Sequence, residues 1–149
     1  VSLVVLLDSS PLGLLTNPKH SPQVVACRQW AAAVQAAGHR IIVPEISDYE
    51  VRRELIRGNM QRSLRALDRL VRQLEYLPLT TATMRRAAEY WAAARQAGVP
   101  TAGPAEIDAD VILAAQADTL GEPNTIVATA NLGHLSRFVR AELWPNITP

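Results

Sequence analysis

Cysteine is nearly absent from this chain: Cys27 is the only one among 149 residues. A single thiol excludes an intrachain disulfide and a zinc site built from cysteines. Inside a helical pattern it reads as a small core residue. Lysine is as scarce, since Lys19 is the one lysine among fifteen basic residues and the others are arginine. No apolar run approaches the ~18 residues that span a bilayer. The first residues carry no basic stretch of the secretory kind. The expectation is a cytoplasmic protein with no membrane partner. No Gly-rich phosphate loop of the Walker or dinucleotide type is present. Nor is there an internal repeat, a low-complexity tract or a dividing linker, so residues 1–149 read as one domain with a core of its own.

What is present is ordinary in bulk and uneven in detail. The chain is 48% hydrophobic and 19% charged, with a net charge of +1, which excludes a polyanion binder over its whole surface. Between Arg52 and Arg72, however, seven arginines face only Glu54 and Asp68. The guanidinium is the better fork for phosphate oxygens. This block suits a solvated pair of helical faces, a nucleic-acid backbone or an acidic protein partner.

Apolar runs alternate with helical patterns. Val1–Leu7 is continuously apolar, as in a strand buried on both faces. Ser9, Ser10 and Pro11 offer an N-cap and a first turn. Pro22–Ala37 is a predicted helix ending at Gly38, and Arg40–Val43 is a second strand. A helix runs from Pro44 to Arg57, and another covers Met60–Leu74. Glu75–Leu79 is the third predicted strand and Thr81–Ala97 a helix. A loop over Gly98–Pro104, a helix over Glu106–Leu120 and a fourth strand over Thr125–Thr129 follow. A short helix, Leu132–Val139, and a strand near Ala141–Trp144 close the chain. The pattern predicts an α/β fold, a three-layer α/β/α domain with a mostly parallel sheet of four to five strands. Trp30, Trp91 and Trp144 are either core residues or parts of a homodimer face.

Ligands of such sheets bind beyond the carboxyl ends of the strands, and the acids fall there. Asp8 directly follows the first strand, which suits either a ligand or an N-cap. Glu50 and Glu54 lie one turn apart on the helix after the second strand, and Glu54 has a surface alternative in Arg57 or Arg53. Glu45 and Asp48 read as first-turn acids. Asp108 and Asp110 open an Ala-rich helix, either as cap and dipole partner or as metal ligands. Asn131, just after the fourth strand, offers a neutral oxygen, as does Thr129; a turn explains both equally. His134 is a solvated helix residue or a phosphate contact. A carboxylate cluster without a basic partner is costly unless a divalent cation holds it. That points to metal-dependent hydrolysis of a phosphate ester, in which Mg²⁺ or Mn²⁺ lowers the pKa of bound water and clamps oxygens. A phospho-receiver domain is disfavoured because it needs a lysine at the last strand. A haloacid-dehalogenase-type phosphatase is disfavoured because Asp8-Ser9-Ser10 is not Asp-x-Asp.

Four segments in this order resemble a PIN-domain nuclease of the VapC toxin type. They are Leu6-Leu7-Asp8-Ser9-Ser10, Val43-Pro44 leading to Tyr49-Glu50-Val51-Arg52-Arg53-Glu54-Leu55, Asp108-Ala109-Asp110-Val111-Ile112-Leu113-Ala114-Ala115, and Val127-Ala128-Thr129-Ala130-Asn131-Leu132-Gly133-His134-Leu135. The resemblance covers nearly the whole chain. It implies that Asp8, Glu50 and Asp110 bind the metal, with Asn131 at a position often held by Asp. Asp108 joins the candidate ligands. It also implies cleavage of single-stranded RNA with Mg²⁺ or Mn²⁺, frequent dimers, and an antitoxin that blocks the site. Arg52, Arg53, Arg57 and Arg62 are then the candidate RNA contacts. The alternative is a PIN-like module that binds RNA or protein without chemistry.

Overall fold

Val4, Val5, Leu6 and Leu7 are each at most 4% exposed, the burial expected of a strand covered on both faces. The computed structural model describes residues 1–98, 104–133 and 135–149, with side chains at 104–107 not described. Its strands are β1 (Val4–Leu7), β2 (Arg40–Pro44), β3 (Glu75–Leu77), β4 (Thr125–Thr129) and β5 (Ala141–Leu143). They pair throughout in parallel, in the order β3-β2-β1-β4-β5. The helices are α1 (Ser9–Thr16), α2 (Pro22–Ala36), α3 (Glu45–Arg57), α4 (Gln61–Gln73), α5 (Thr81–Gln96) and α6 (Pro104–Leu120).

Alternation along the strands divides the core in two. Val4, Leu6, Ile42 and Val127 pack with Tyr90 of α5 and with Val111, Leu113, Ala114 and Ala115 of α6. Val5, Leu7, Ile41, Val43, Ile126 and Ala128 pack on the other face with Leu12, Cys27, Trp30, Val34 and Leu67. The expected three-layer α/β/α domain is the one observed. Helix α3 sits at the junction, sending Ile46 into the first cluster and Val51 into the second. Trp30 and Trp144 are buried against each other with ring centroids 5.5 Å apart, and the Trp30 indole donates to the Ile147 carbonyl at 3.0 Å. They are core, whereas Trp91 remains 36% exposed. Burial pushes the Cys27 thiol up to about 12, consistent with a packing residue.

Several boundaries differ from expectation. Of the two cap positions the sequence offered, Asp8 and the Ser9–Ser10 pair, α1 uses Asp8, whose carboxylate accepts from the Ser9 N–H. Helix α6 starts at Pro104, where a missing N–H costs nothing, so Asp108 and Asp110 lie a turn inside and Asp108 is no cap. Strand β3 stops at Leu77, and the Leu79 N–H turns instead to Glu45 Oε1 at 2.6 Å. Among the described residues of 132–139 there is no α-helix: Gly133 has φ +41°, and Leu135–Arg137 form a 3₁₀ turn. Of the expected loop at 98–104, residues 99–103 lie outside the described residues, as does His134.

Candidate active site

Parallel pairing sets the site. The ladder runs one residue past β1, where the Asp8 N–H donates to the Ala128 carbonyl at 2.9 Å. Asp8 is thereby held level with the carboxyl end of β4, at the mouth of the sheet. Both of its carboxylate oxygens are engaged. Oδ1 accepts from the Ser9 N–H at 2.7 Å, and Oδ2 lies 2.7 Å from the Thr129 hydroxyl. Capping and site geometry are therefore one arrangement: the contact that starts α1 also fixes the carboxylate. Thr129 is fully buried, and its Oγ1 also accepts from the Asn131 N–H at 3.1 Å. The hydroxyl has one proton, and the short contact to Asp8 claims it. Thr129 thus ties the loop after β4 to the acid after β1.

Glu50 lies in the second turn of α3, half-buried. Its carboxyl is pushed up from 4.5 to about 7, first by burial and then by the negative charges of Asp8 and Asp110, while Arg53 acts in the opposite sense. Asp8, just past β1, and Asp110 of α6 thus both act on the charge of Glu50 in α3. Glu50, Asp108 and Asp110 line one cleft of about 560 Å³ together with Tyr49 and Arg53. Asp110 is half-buried there and Asp108 exposed at the rim. Asn131 is exposed just beyond β4, engaged through its backbone, with its side-chain oxygen next to Gly133. Among the described residues no three His, Cys, Asp or Glu side chains form a ready-made metal cage. The oxygen donors present are of the hard kind that Mg²⁺ and Mn²⁺ take, and such ions complete their shells with water.

The remaining candidates scatter. Glu54 points away to Arg57 at 2.6 Å, and that contact lowers its carboxyl below the usual range. Arg52 is held by Asp48 at 3.0 Å and Asp68 at 2.8 Å. Arg53 lies over the Tyr49 ring, 5.1 Å from its centroid, on the wall of the acidic cleft. Arg62 lies elsewhere, in a cleft with other arginines.

Four roles escaped the sequence. Asp48 and Glu45 are not merely first-turn acids: Asp48 accepts from the Tyr76 hydroxyl at 2.7 Å, and Glu45 holds the chain after β3. Gln116, fully buried, accepts from the Ile46 N–H at 3.2 Å and donates to the Leu77 carbonyl at 2.9 Å. It satisfies an orphan donor in the first turn of α3 and so supports Glu50 from below. A glutamine within an Ala-rich apolar run was the available signal. Tyr49 was noted only as part of a motif, though 55% exposure beside Glu50 places it at the cleft mouth.

Known structures share this architecture. VapBC2 from Rickettsia felis, bound to a DNA fragment from its promoter, is 16% identical with a TM-score of 0.70, over 94% of this chain and 98% of that one. DNA-bound VapBC from Salmonella typhimurium is 22% identical with a TM-score of 0.68, over 95% and 98%. FitAcB from Neisseria gonorrhoeae is 19% identical with a TM-score of 0.66, over 96% and 99%. These likenesses establish the fold. No curated protein matches the sequence. A profile of the PIN domain matches residues 5–133, and the chain belongs to the PIN-domain family.

Proposed function

We propose that this PIN-domain protein is a divalent-metal-dependent endoribonuclease, the toxin of a type II toxin–antitoxin pair. The family is one of nucleases, which supports phosphodiester hydrolysis as the reaction class. The observation that carries the reading is the placement of Asp8 at the carboxyl end of the sheet, fixed by Ser9 and Thr129, together with the cleft that Glu50, Asp108 and Asp110 line. Carboxylates whose charges act on one another are unfavourable by themselves and favourable around a cation. Asp8, Glu50 and Asp110 would hold Mg²⁺ or Mn²⁺, with Asn131 and Asp108 at the rim. The cation, when bound, supplies hydroxide near neutral pH and charge stabilisation for the phosphoryl oxygens. The chain's own part is orientation. Thr129 and the Ser9 N–H fix the rotamer of Asp8, and Gln116 fixes the start of α3. Arg53 and the exposed Tyr49 flank the cleft where a strand and an unstacked base would lie. The neighbours named above are toxin–antitoxin complexes, which supports an antitoxin partner for this chain. A homodimer and a cytoplasmic setting belong to the same reading. Among the described residues no helix is long and apolar enough to cross a membrane.

The test is cleavage of a single-stranded RNA panel with Mn²⁺, by wild type and by Asp8→Asn. Asparagine keeps the cap, so the variant should fold. Cleavage by wild type, abolished in Asp8→Asn and in chelator, is the expected result. Retained metal-dependent cleavage by the variant would overturn the assignment. A second reading, a PIN-fold module that binds RNA or an acidic protein without chemistry, is favoured by one observation: no ready-made cage exists among the described residues. RNA affinity without Mn²⁺ uptake in calorimetry would select it.

A further inference from the structure

Four arginines converge where none is needed by the acids. Arg62, Arg65 and Arg69 share one face of α4 at spacings of three and four, and Arg28 faces them from α2. With Leu15, Thr16, Asn17, Pro18 and Ala66 they line a cleft of about 360 Å³ that contains no carboxylate. Some arginines elsewhere are paired with carboxylates: Arg40 with Glu75 and Glu122, Arg57 with Glu54, Arg86 with Glu89 and Asp118. The acid that α4 itself offers, Asp68, is turned to Arg52. Among the described residues Arg62, Arg65 and Arg69 make no ion pair, and all three are exposed. Arg28 is half-buried and anchored by donating to the Asn17 carbonyl, so its charge is fixed at the cleft. Guanidinium groups gathered this way repel one another and are balanced by an anion with several oxygens.

The cleft is joined to the acidic site. Thr16 and Asn17 also line a second groove of about 360 Å³, whose other walls include Ser9, Ser10, Gly13, Glu50 and Arg53. Glu50 and Arg53 in turn belong to the acidic cleft. Asp8 caps one end of α1 and the arginine cleft lies at the other, so the two are separated by the length of α1, ~12 Å for eight residues at ~1.5 Å each. A single strand crosses that distance in a few nucleotides. Its path would run over small polar side chains and a glycine.

We propose that Arg28, Arg62, Arg65 and Arg69 form a phosphate-binding subsite for the RNA strand cleaved at Asp8, Glu50 and Asp110, a few nucleotides from the scissile bond. The inference rests on the ribonuclease reading and extends it to a stretch of strand the acids do not touch. Direction follows from charge: the acidic end takes the strand with a cation, the basic end takes it directly.

The experiment measures binding of a fluorescein-labelled nine-nucleotide single-stranded RNA by anisotropy across a salt series. It uses Asp8→Asn protein, which keeps the strand intact, with and without Arg65→Ala/Arg69→Ala. These side chains are exposed, so the fold should survive, and circular dichroism checks it. For single strands the log–log salt slope falls by ~0.7 for each phosphate that is no longer neutralised. The double substitution should therefore weaken binding and flatten the slope by about 1.4. Unchanged affinity and slope, with RNA still bound, would overturn the subsite and leave the ribonuclease reading standing. If, instead, the substitutions abolish binding of an Asp/Glu-rich peptide and leave RNA binding unchanged, the cleft serves a protein partner and the inference is refuted. If wild type neither binds nor cleaves RNA, the ribonuclease reading itself fails, and the inference with it.

Discussion

The raised carboxyl of Glu50 makes stability depend on pH in a way that one substitution should erase. A carboxyl at about 7 in the folded protein and near 4.5 when unfolded binds its proton more tightly in the fold. It therefore contributes stability that is fully present below about 4.5, declines as pH rises through the interval, and is gone once pH passes about 7. The full interval corresponds to ~3 kcal/mol at ~1.4 kcal/mol per tenfold change. Glu50 is only half-buried, and solvent screening reduces this to roughly 1–2 kcal/mol. Glutamine at position 50 carries no charge at any pH and fits the same space.

In chelator, Glu50→Gln should exceed wild type in stability by roughly 1–2 kcal/mol at pH 8, with the gap narrowing toward pH 5. Urea unfolding followed by circular dichroism at pH 5, 6, 7 and 8 reads this directly, provided that the slope with denaturant is the same for both proteins. Saturating Mn²⁺ should reverse the order at pH 8, because a cation that binds only the folded, intact site adds stability to wild type alone. A gap that does not vary with pH would refute the reasoning: Glu50 would then be neither buried nor acted on by neighbouring acids. A wild type more stable than the variant at pH 8 in chelator would refute it more strongly.

Other expectations follow from the same contacts. Asp110→Asn in metal-free buffer should leave stability unchanged or raise it, and should lose the Mn²⁺ stabilisation; thermal unfolding reads both. Thr129→Val keeps the volume but removes the hydroxyl between Asp8 and Asn131. It should cost ~1 kcal/mol in urea unfolding and lower cleavage more than RNA affinity, since Asp8 loses its fixed rotamer. Gln116→Leu strands the Ile46 N–H and the Leu77 carbonyl and should destabilise by about 2–4 kcal/mol. Ser47→Ala should be neutral or stabilising by up to ~1 kcal/mol, because among the described residues the buried Ser47 hydroxyl has no hydrogen-bond partner.

How far the sequence could be read followed from how local each determinant is. The buried strands were legible because Val4–Leu7 and Thr125–Thr129 are short, unbroken apolar runs, and runs of that kind occur when both faces are covered. The placement of Asp8 beyond a strand end followed from the same runs, since position along a strand is a local property. The placement of Asp110 was less accessible, because it depends on where α6 starts. Pro104 starts the helix earlier than the acids suggest, and this moves Asp108 from a cap to a rim. The arginine block was the least legible part. Seven arginines between 52 and 72 look alike in sequence, yet folding separates them by partner. Arg52 is taken by Asp48 and Asp68, Arg57 by Glu54, and Arg53 stays beside Tyr49 at the acidic cleft.

Arg62, Arg65, Arg69 and Arg72 are left, and the first three meet Arg28, which comes from another helix and which no sequence window joins to them. The division has a functional consequence. Arginines already held by carboxylates have spent their hydrogen-bond capacity on the fold, and only the unpaired set can gain much from an incoming phosphate. Charge counted along the chain therefore overstates the binding surface near Arg52 and Arg57. It also misses the surface that α2 and α4 build together, which is why the subsite is assigned to the end of α1 and not to the helix that carries Glu50.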